Sequence, residues 1–263
     1  MPPAPPLITL LTDFGTRDWF VASLKGVILT INPAARIVDL SHDITPYGIA
    51  EAAYCLQACY RTFPAGTVHV VVVDPGVGGS RRPILAKAGD NYFVAPDNGV
   101  LTPIVGGGQP VEIRQLENPR YQLRSPGATF HGRDLFAPAA AWLTKGEALA
   151  SFGRVVTDPV MLDWPRPVRD GSAIRGQIVY VDRFGNLISN ISLADLPCDQ
   201  LERMTMTIGG RPIGPLVSHY AAAASDVPQA LINSQGLLEI FVRERPASEL
   251  LSVGIGAVVE VAG

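Results

Sequence analysis

The sequence lacks the features that would direct it to a membrane or to a nucleic acid. No apolar run reaches the roughly 18 residues that a membrane-spanning helix needs. The formal net charge of -3 provides no basic excess for binding nucleic acid or anionic lipid. The start, MPPAPPL, has neither the basic nor the apolar region of a secretory signal. We therefore expect a cytoplasmic protein without nucleic-acid or membrane partners.

Signatures of several common enzyme classes are also missing. The chain contains no GxxxxGK[ST] phosphate loop, no HExxH metal motif and no GxSxG nucleophile turn. It has only three cysteines and four scattered histidines. Cys55 and Cys59 lie four residues apart on a predicted helix, and we expect buried thiols there rather than metal ligands. The sequence thus predicts no metal site.

The most distinctive stretch that is present, VVVVDPGVGGSRRP, runs from Val70 to Pro83. Four consecutive valines are typical of a strand that is buried on both faces, as in a parallel sheet. The strand ends on Asp74, and a glycine-rich loop leads to Arg81 and Arg82. Such a carboxylate, facing a guanidinium across a loop, lies where open α/β sheets bind ligands. A structural ion pair that holds a tight loop explains the same residues equally well.

The spacing of apolar segments predicts two domains of different architecture in the 263 residues. In residues 1–163, strands alternate with helices, which predicts an N-terminal α/β domain with a mostly parallel central sheet. The proline-rich residues 164–172 are predicted to be a linker. Residues 173–263 contain short strands separated by glycine turns, which predicts a smaller C-terminal all-β domain resembling a barrel.

Polar residues at the predicted strand ends are the candidates for a site. Each alone is more often a loop cap or a solvated side chain than a catalytic group. Because the carboxyl ends of parallel strands meet at one edge of a sheet, their combination favours a binding site. In the second half, a hairpin cap is the simpler interpretation of the turn from Asp182 to Asn186. The candidates in the first half are Asp13, Asp18, Asp74, Arg81, Asn98 and His131.

Six short motifs together resemble the S-adenosyl-L-methionine hydroxide adenosyltransferases, a family related to the bacterial fluorinase and chlorinase. They are TDFG at 12–15, DPGVG at 74–78, the following Arg81, PDNG at 96–99, FHGRD at 130–134 and DRFGN at 182–186. They follow the family order, and the resemblance extends from Thr12 to about Glu244. It implies hydrolysis of S-adenosyl-L-methionine to adenosine and L-methionine by attack of water on the ribose C5′. It also implies a homotrimer with sites between neighbouring subunits.

The resemblance implies roles for particular residues. Asp74, Arg81 and His131 match the catalytic residues of the family. Gln235 stands where the halogenases have an arginine that binds the substrate carboxylate. The implied substrate contacts are Asp13 to the ribose hydroxyls, Asp18 and Asp182 to the methionine end, Tyr47 as a stacking residue where relatives have a tryptophan, Asn186 with the backbone from Val242 to Glu244 to the adenine, and Ser234 near the methionine carboxylate.

The chemistry implied by the resemblance suits these residue types. A sulfonium departs as a neutral thioether, so we expect neither a metal nor a cofactor, only an activated and well-placed water. Arg81 stays protonated, so we expect it to stabilise hydroxide, with Asp74 holding it and His131 accepting the proton. Three alternatives remain open: a halogenase forming a 5′-halo-adenosine, a non-catalytic protein that binds S-adenosyl-L-methionine or adenosine, and a metal-dependent nucleotide hydrolase.

Overall fold

The computed structural model of the protein describes residues 5–171, 173–196 and 204–263. These residues fall into two compact units, one ending at Trp164 and the other beginning at Pro165. Each unit has its own hydrophobic core. Within the described ranges, no helix is long and apolar enough to cross a membrane.

The first unit is built on a six-stranded sheet in the order β2-β1-β3-β5-β4-β6. Strands β1, β2, β3 and β5 run parallel, while β4 pairs antiparallel with β5 and β6. This confirms the predicted α/β class with a mostly parallel sheet. The elements are β1 (Leu7–Thr12), α1 (Phe20–Ile31), β2 (Arg36–Ser41), α2 (Ile49–Cys59), β3 (Val68–Val72), β4 (Pro83–Ala88), β5 (Asn91–Pro96), α3 (Thr102–Val105), β6 (Val111–Gln115) and α4 (Ala137–Thr144).

The valine-rich strand β3 is buried on both faces, as its sequence predicts. Val70 and Val72 belong to the core beneath α1 and α4. Val71 and Val73 point the other way and join the core beneath α2 and α3. Burial of each valine side chain stabilises the fold by about 1.5–3 kcal/mol, so both cores hold this strand in the middle of the sheet. Asp74, which follows Val73, therefore lies at the carboxyl edge of the sheet.

The second unit is an antiparallel, barrel-like β structure in which β8 joins two groups of strands. The first part of β8 pairs with β7 and β14, and its last part pairs with β9. This confirms the predicted all-β architecture. The elements are β7 (Val168–Asp170), β8 (Ala173–Val181), β9 (Leu187–Ser192), β10 (Thr205–Ile208), β11 (Arg211–Ile213), β12 (Gln229–Ile232), β13 (Leu237–Phe241), α5 (Ala247–Leu251) and β14 (Val258–Ala262).

The segment predicted as a linker contains regular structure. Within residues 164–172, β7 pairs with the start of β8. Just upstream, the backbone N–H of Val160 donates to Asp97 Oδ1 at 2.8 Å, and that of Leu162 donates to Thr102 Oγ1 at 2.8 Å. The prolines hide these contacts because they interrupt any periodic pattern. The domain boundaries predicted at residues 163 and 173 stay a prediction.

The expectation of buried thiols on α2 is wrong. Cys55 and Cys59 are only partly buried, and the Cys59 thiol donates to the carbonyl oxygen of Cys55 at 3.1 Å. The buried residues of α2 include Ala52, Ala53 and Leu56, and Cys55 packs against the same core as a partly buried side chain. Burial still raises the pKa of Cys59, so this thiol is not activated as a nucleophile.

Candidate active site

Three polar side chains meet at the carboxyl end of β3. Arg81 Nε donates to Asp74 Oδ1 and Oδ2, both at 2.9 Å, and Arg81 Nη2 also donates to Asp74 Oδ2. The same Nη2 lies 2.6 Å from His131 Nδ1. The side chains of Asp74 and Arg81 are only 5% and 10% exposed. Removal of either side chain would therefore leave the charge of the other buried without its partner, which is costly.

The glycine-rich loop that follows Asp74 is shaped for this contact. Gly78 adopts φ +78°, a backbone conformation that favours glycine. A Cβ atom at Gly78 would lie 2.9 Å from the carbonyl oxygen of Ala128, in the segment that leads to His131. The loop therefore packs backbone against backbone on that segment. This close approach brings Arg81 within reach of the histidine.

His131 precedes a π-helical turn, Gly132–Phe136, which continues into α4. Such turns occur mostly as single insertions in helices, frequently at functional sites. Phe136, at the end of this turn, is fully buried, and the Arg81 guanidinium lies 5.5 Å from its ring centroid. The turn therefore packs Phe136 against the guanidinium and places His131 beside it.

The contact with Arg81 determines how His131 is protonated. A guanidinium only donates, so His131 Nδ1 must accept, and the neutral ring carries its hydrogen on Nε2. Burial and the charge of Arg81 lower the pKa of His131, although Asp74 and Asp134 act in the opposite direction. The lone pair that would take a proton is thus already bound to Arg81. This geometry favours His131 as a hydrogen-bond donor through Nε2 rather than as the proton acceptor that we expected.

A cavity of about 560 Å³ opens beside these residues. Asp74 and His131 line it, whereas Arg81 lies behind them and bridges the two. Asp13 and Tyr47 line the same cavity, and the Tyr47 N–H donates to Asp13 Oδ2 at 2.8 Å. Tyr47 is 72% exposed and adopts φ +68°. A strained backbone at a residue that contributes little to the core is a feature of functional sites.

Aromatic side chains form one wall of the cavity. The ring centroids of neighbouring members lie 5.0–5.9 Å apart, in tilted or edge-to-face arrangements. Trp19 is 58% exposed, so this wall presents apolar surface to a ligand. The side chains are Phe14, Trp19, Phe20 and Phe130.

The loop that carries Asp13 is held by a network that we did not predict. Thr12 Oγ1 lies 2.8 Å from His42 Nδ1, and His42 Nε2 lies 3.1 Å from Asp39 Oδ1. Asp39 also accepts from Lys25 Nζ at 2.6 Å. Burial tends to raise the pKa of Asp39, but its bonds to Lys25 and His42 prevail and lower it. The signal that could have revealed this network is the position of His42, directly after β2 at the same sheet edge.

A second cavity, of about 660 Å³, lies in the second unit. Asp182 Oδ1 accepts from the N–H groups of Phe184 and Asn186 at 2.9 and 2.8 Å, and Oδ2 accepts from Asn186 Nδ2 at 2.9 Å. The interpretation of Asp182 as a hairpin cap is therefore confirmed. The same three residues also line the cavity, together with Val242 and Glu244.

The remaining predicted contacts fall elsewhere. Asp18 and Ser234 are exposed and line neither cavity. Asn98 follows β5, and its Nδ2 donates to the Val73 carbonyl at 2.9 Å, so it supports the sheet edge. Within the part of the chain that the structure describes, no group of three or more His, Cys, Asp or Glu side chains is placed to hold a metal ion. The roles implied for all these residues stay predictions.

Comparison with known proteins identifies similar sequences and structures. The family sequence model of the SAM hydroxide adenosyltransferase N-terminal domain matches residues 8–153, and that of the C-terminal domain matches residues 176–260. The chain is 35% identical to the (R)-S-adenosyl-L-methionine hydrolase of Thermus thermophilus, over 95% of this chain and 96% of that protein. It is 28% identical to a fluorinase from an Actinoplanes species, over 97% of each chain. A solved structure of an uncharacterized conserved protein from Thermotoga maritima is 35% identical and superposes with a TM-score of 0.91, covering 97% of this chain and 100% of the other.

Proposed function

Because the chain belongs to the SAM hydroxide adenosyltransferase family, we propose that it hydrolyses S-adenosyl-L-methionine to adenosine and L-methionine. Several curated relatives at 32–35% identity over most of the chain are named (R)-S-adenosyl-L-methionine hydrolase, whereas the fluorinases are 25–28% identical. The observation that carries the proposal is the contact of Asp74, Arg81 and His131 beside the first cavity. These are the residues that the resemblance assigns to catalysis.

In the proposed reaction, a water oxygen attacks C5′ of the ribose in line with the sulfonium. The C5′–O bond forms while the C5′–S bond breaks, and the electron pair of that bond goes to sulfur, which leaves as the neutral thioether of methionine. As it bonds to carbon, the attacking water becomes strongly acidic, so a weak base is sufficient to remove its proton. No metal or cofactor takes part in this scheme.

The residues of the first cavity can divide this work between them. Asp74 accepts the proton of the attacking water, because its Oδ1, bonded to Arg81 Nε among the described residues, keeps a lone pair available. His131 donates its Nε2 hydrogen to the attacking oxygen and orients it. Arg81 contacts both side chains and acts as the positioning residue. The aromatic wall, which includes Phe130, supplies apolar surface beside them for the substrate.

Incubation of purified protein with S-adenosyl-L-methionine tests the proposal. We expect adenosine and methionine in equal amounts by chromatography, unchanged by a chelator and without any halo-nucleoside at high chloride or fluoride. A halo-nucleoside would indicate the halogenase, and loss of activity on chelation would indicate a metal-dependent hydrolase. Binding without any product across pH 6 to 9 would indicate a binding protein.

We further propose a homotrimer whose active sites each combine the first unit of one subunit with the second unit of a neighbour. Support comes from the resemblance and from the distribution of the implied contacts, with Asp74 and His131 in the first unit and Asn186 in the second. A head-to-tail contact of this kind closes into a ring. If sites are shared in this way, the activity of a mixture of two inactive variants shows whether one subunit can complete the site of another.

Co-assembly of two inactive variants tests the shared site. His131→Ala and Asn186→Ala proteins are each expected to be nearly inactive. Joint refolding or co-expression should restore activity, since some sites then combine an intact first unit with an intact second unit. Native mass spectrometry of differently tagged chains would verify that mixed assemblies form. Mixed trimers without recovered activity would show that each site is built within one chain.

A further inference from the structure

A buried carboxylate lies next to the second cavity. Glu239, on β13, is only 4% exposed. Its Oε1 accepts from the Tyr220 hydroxyl at 2.6 Å, and its Oε2 accepts from Asn233 Nδ2 at 3.2 Å. Both partners are neutral groups, and each satisfies one carboxylate oxygen. Neither resemblance nor motif pointed to Glu239 or Tyr220.

The direction of each hydrogen bond in this group is determined by its neighbours. Asn233 Oδ1 accepts from the N–H groups of Gln235 and Leu237, at 2.9 and 3.1 Å. The Asn233 amide hydrogens therefore point toward Glu239. The ring of Tyr220 packs edge-on against Phe241, with centroids 4.9 Å apart and an interplanar angle of 88°. The Tyr220 hydroxyl thus has a defined position and uses its single hydrogen on Glu239.

Tyr220 also lines the second cavity and is 48% exposed. Burial and the bond to Glu239 raise its pKa, so the phenol stays protonated at neutral pH. With its hydrogen committed to Glu239, the hydroxyl can offer a ligand only its lone pairs. It can therefore accept a hydrogen bond from a ligand but cannot donate one.

We propose that Tyr220, oriented by the positioning residue Glu239, is a specificity-determining acceptor that selects a ligand carrying an amino group in the second cavity. This inference rests on the proposed function, since S-adenosyl-L-methionine has two such groups. One is the 6-amino group of adenine, and the other is the α-ammonium of the methionine moiety. Each of these groups would donate a hydrogen bond to the Tyr220 hydroxyl, so both are selected by the same chemistry.

Substitution of Glu239 by glutamine should reverse the selectivity. The fixed Asn233 amide needs an acceptor, so the introduced glutamine would turn its Oε1 toward Asn233 and its Nε2 hydrogens toward Tyr220. The Tyr220 hydroxyl would then accept from the glutamine and could donate its own hydrogen to a ligand. A ligand with a carbonyl at the same position would be favoured over one with an amino group.

Calorimetric binding to pairs of ligands that differ in one group tests the proposal. The purine pair is adenosine and purine riboside, which lacks the 6-amino group. Inosine, which has a carbonyl at that position, is a third ligand. The amino-acid pair is methionine with 4-(methylthio)butanoate, which lacks the ammonium. Tyr220→Phe should weaken binding of the amino-bearing member of one pair about three- to tenfold, the scale of one hydrogen bond, and leave the other member unchanged. The pair affected identifies the amino group.

Two further variants make the result decisive. If Tyr220 binds the adenine amino group, Glu239→Gln should raise the affinity for inosine relative to adenosine. If Tyr220 binds the ammonium, Glu239→Gln should weaken the binding of methionine alone. Tyr121→Phe is the matched control, because the Tyr121 hydroxyl donates to Glu147 at 2.8 Å in the first unit. If Tyr220→Phe weakened both members of each pair equally, or neither, the inference about Tyr220 would be overturned while the proposed function would stand. Wild-type protein that bound none of the ligands would instead overturn the proposed function.

Discussion

The protonation of His131 makes a prediction that separates two mechanisms. Its Nδ1 accepts from Arg81 Nη2 at 2.6 Å, which leaves Nε2–H as the group that faces a ligand. In His131→Gln, the side-chain amide can donate from about the position of Nε2 but cannot take up a proton. If His131 acts as a donor, this variant should be far more active than a variant without any polar group at this position. If His131 is the proton acceptor, it should lose as much as a variant without any polar group.

The expected magnitudes follow from the contacts that each variant loses. His131→Gln gives up the hydrogen bond from Arg81, and about 1.4 kcal/mol for such a bond corresponds to a tenfold lower kcat. His131→Leu, of comparable size, also loses the donor to the attacking oxygen. Removal of one such donor usually lowers kcat by roughly 10²–10³. We therefore expect the glutamine variant to be more active than the leucine variant by roughly a hundredfold or more.

The pH profile provides a second assay of the same reasoning. Burial and Arg81 lower the pKa of His131 below its usual 6.5. Wild-type activity should therefore fall only as the pH drops below that value, where a protonated ring would repel the guanidinium. His131→Gln should lack this acidic decline. Equal and severe losses of kcat in the glutamine and leucine variants would refute the donor role and restore His131 as the base.

Two further predictions concern the scaffold. Burial lowers the pKa of the fully buried His69 from 6.5 to about 4. The unfolded chain then binds more protons below pH 6.5, so unfolding free energy should decrease by roughly 2 kcal/mol between pH 7 and 5, as measured by urea denaturation. Gly78→Ala places a Cβ atom 2.9 Å from the Ala128 carbonyl oxygen at φ +78°. It should cost about 1–2 kcal/mol of backbone strain and also lower kcat, because the loop to Arg81 must move away from the segment before His131.

Each of these predictions has a matched control. His69→Leu should remove the pH dependence of the urea midpoint, whereas His219→Asn, at an exposed position, should leave it intact. The same slope in the leucine variant would show that other groups cause the acid sensitivity. Gly146→Ala has φ +94° with nothing within 4 Å of the new Cβ, so it should destabilise the fold while kcat is unchanged. Identical kcat in both glycine variants would contradict the role of the close approach at Gly78.

Local sequence was sufficient for the features that depend on neighbouring residues. The alternation of Val70 to Val73 between two cores follows from the two-residue period of a strand, and it placed Asp74 at the sheet edge in advance. The antiparallel pairing of β4 with β5 agrees with the sequence Gly89-Asp90-Asn91 between their apolar segments, because these residue types favour hairpin turns. The family motifs likewise are contiguous residues, so the family and the reaction it implies could be predicted from them.

Short or irregular elements could not be located from the sequence because their stability comes from partners rather than from their own residues. Strand β7, with three residues, exists only because β8 offers it an edge. Strand β12, with four residues, and helix α5, with five, also have no periodic pattern long enough to be detected. Their formation is decided by packing that brings distant parts of the chain together.

The protonation and direction of hydrogen bonds in both cavities were decided by tertiary structure alone. Arg81 and His131 are separated by 50 residues, and only their contact shows which ring nitrogen of His131 carries the hydrogen. Tyr220 and Glu239 are separated by 19 residues, and only their contact turns a phenol into an obligate acceptor. Residue types alone determine which groups can donate or accept. Which of them do so depends on the neighbour that the fold supplies, because each hydrogen and each lone pair can be used only once.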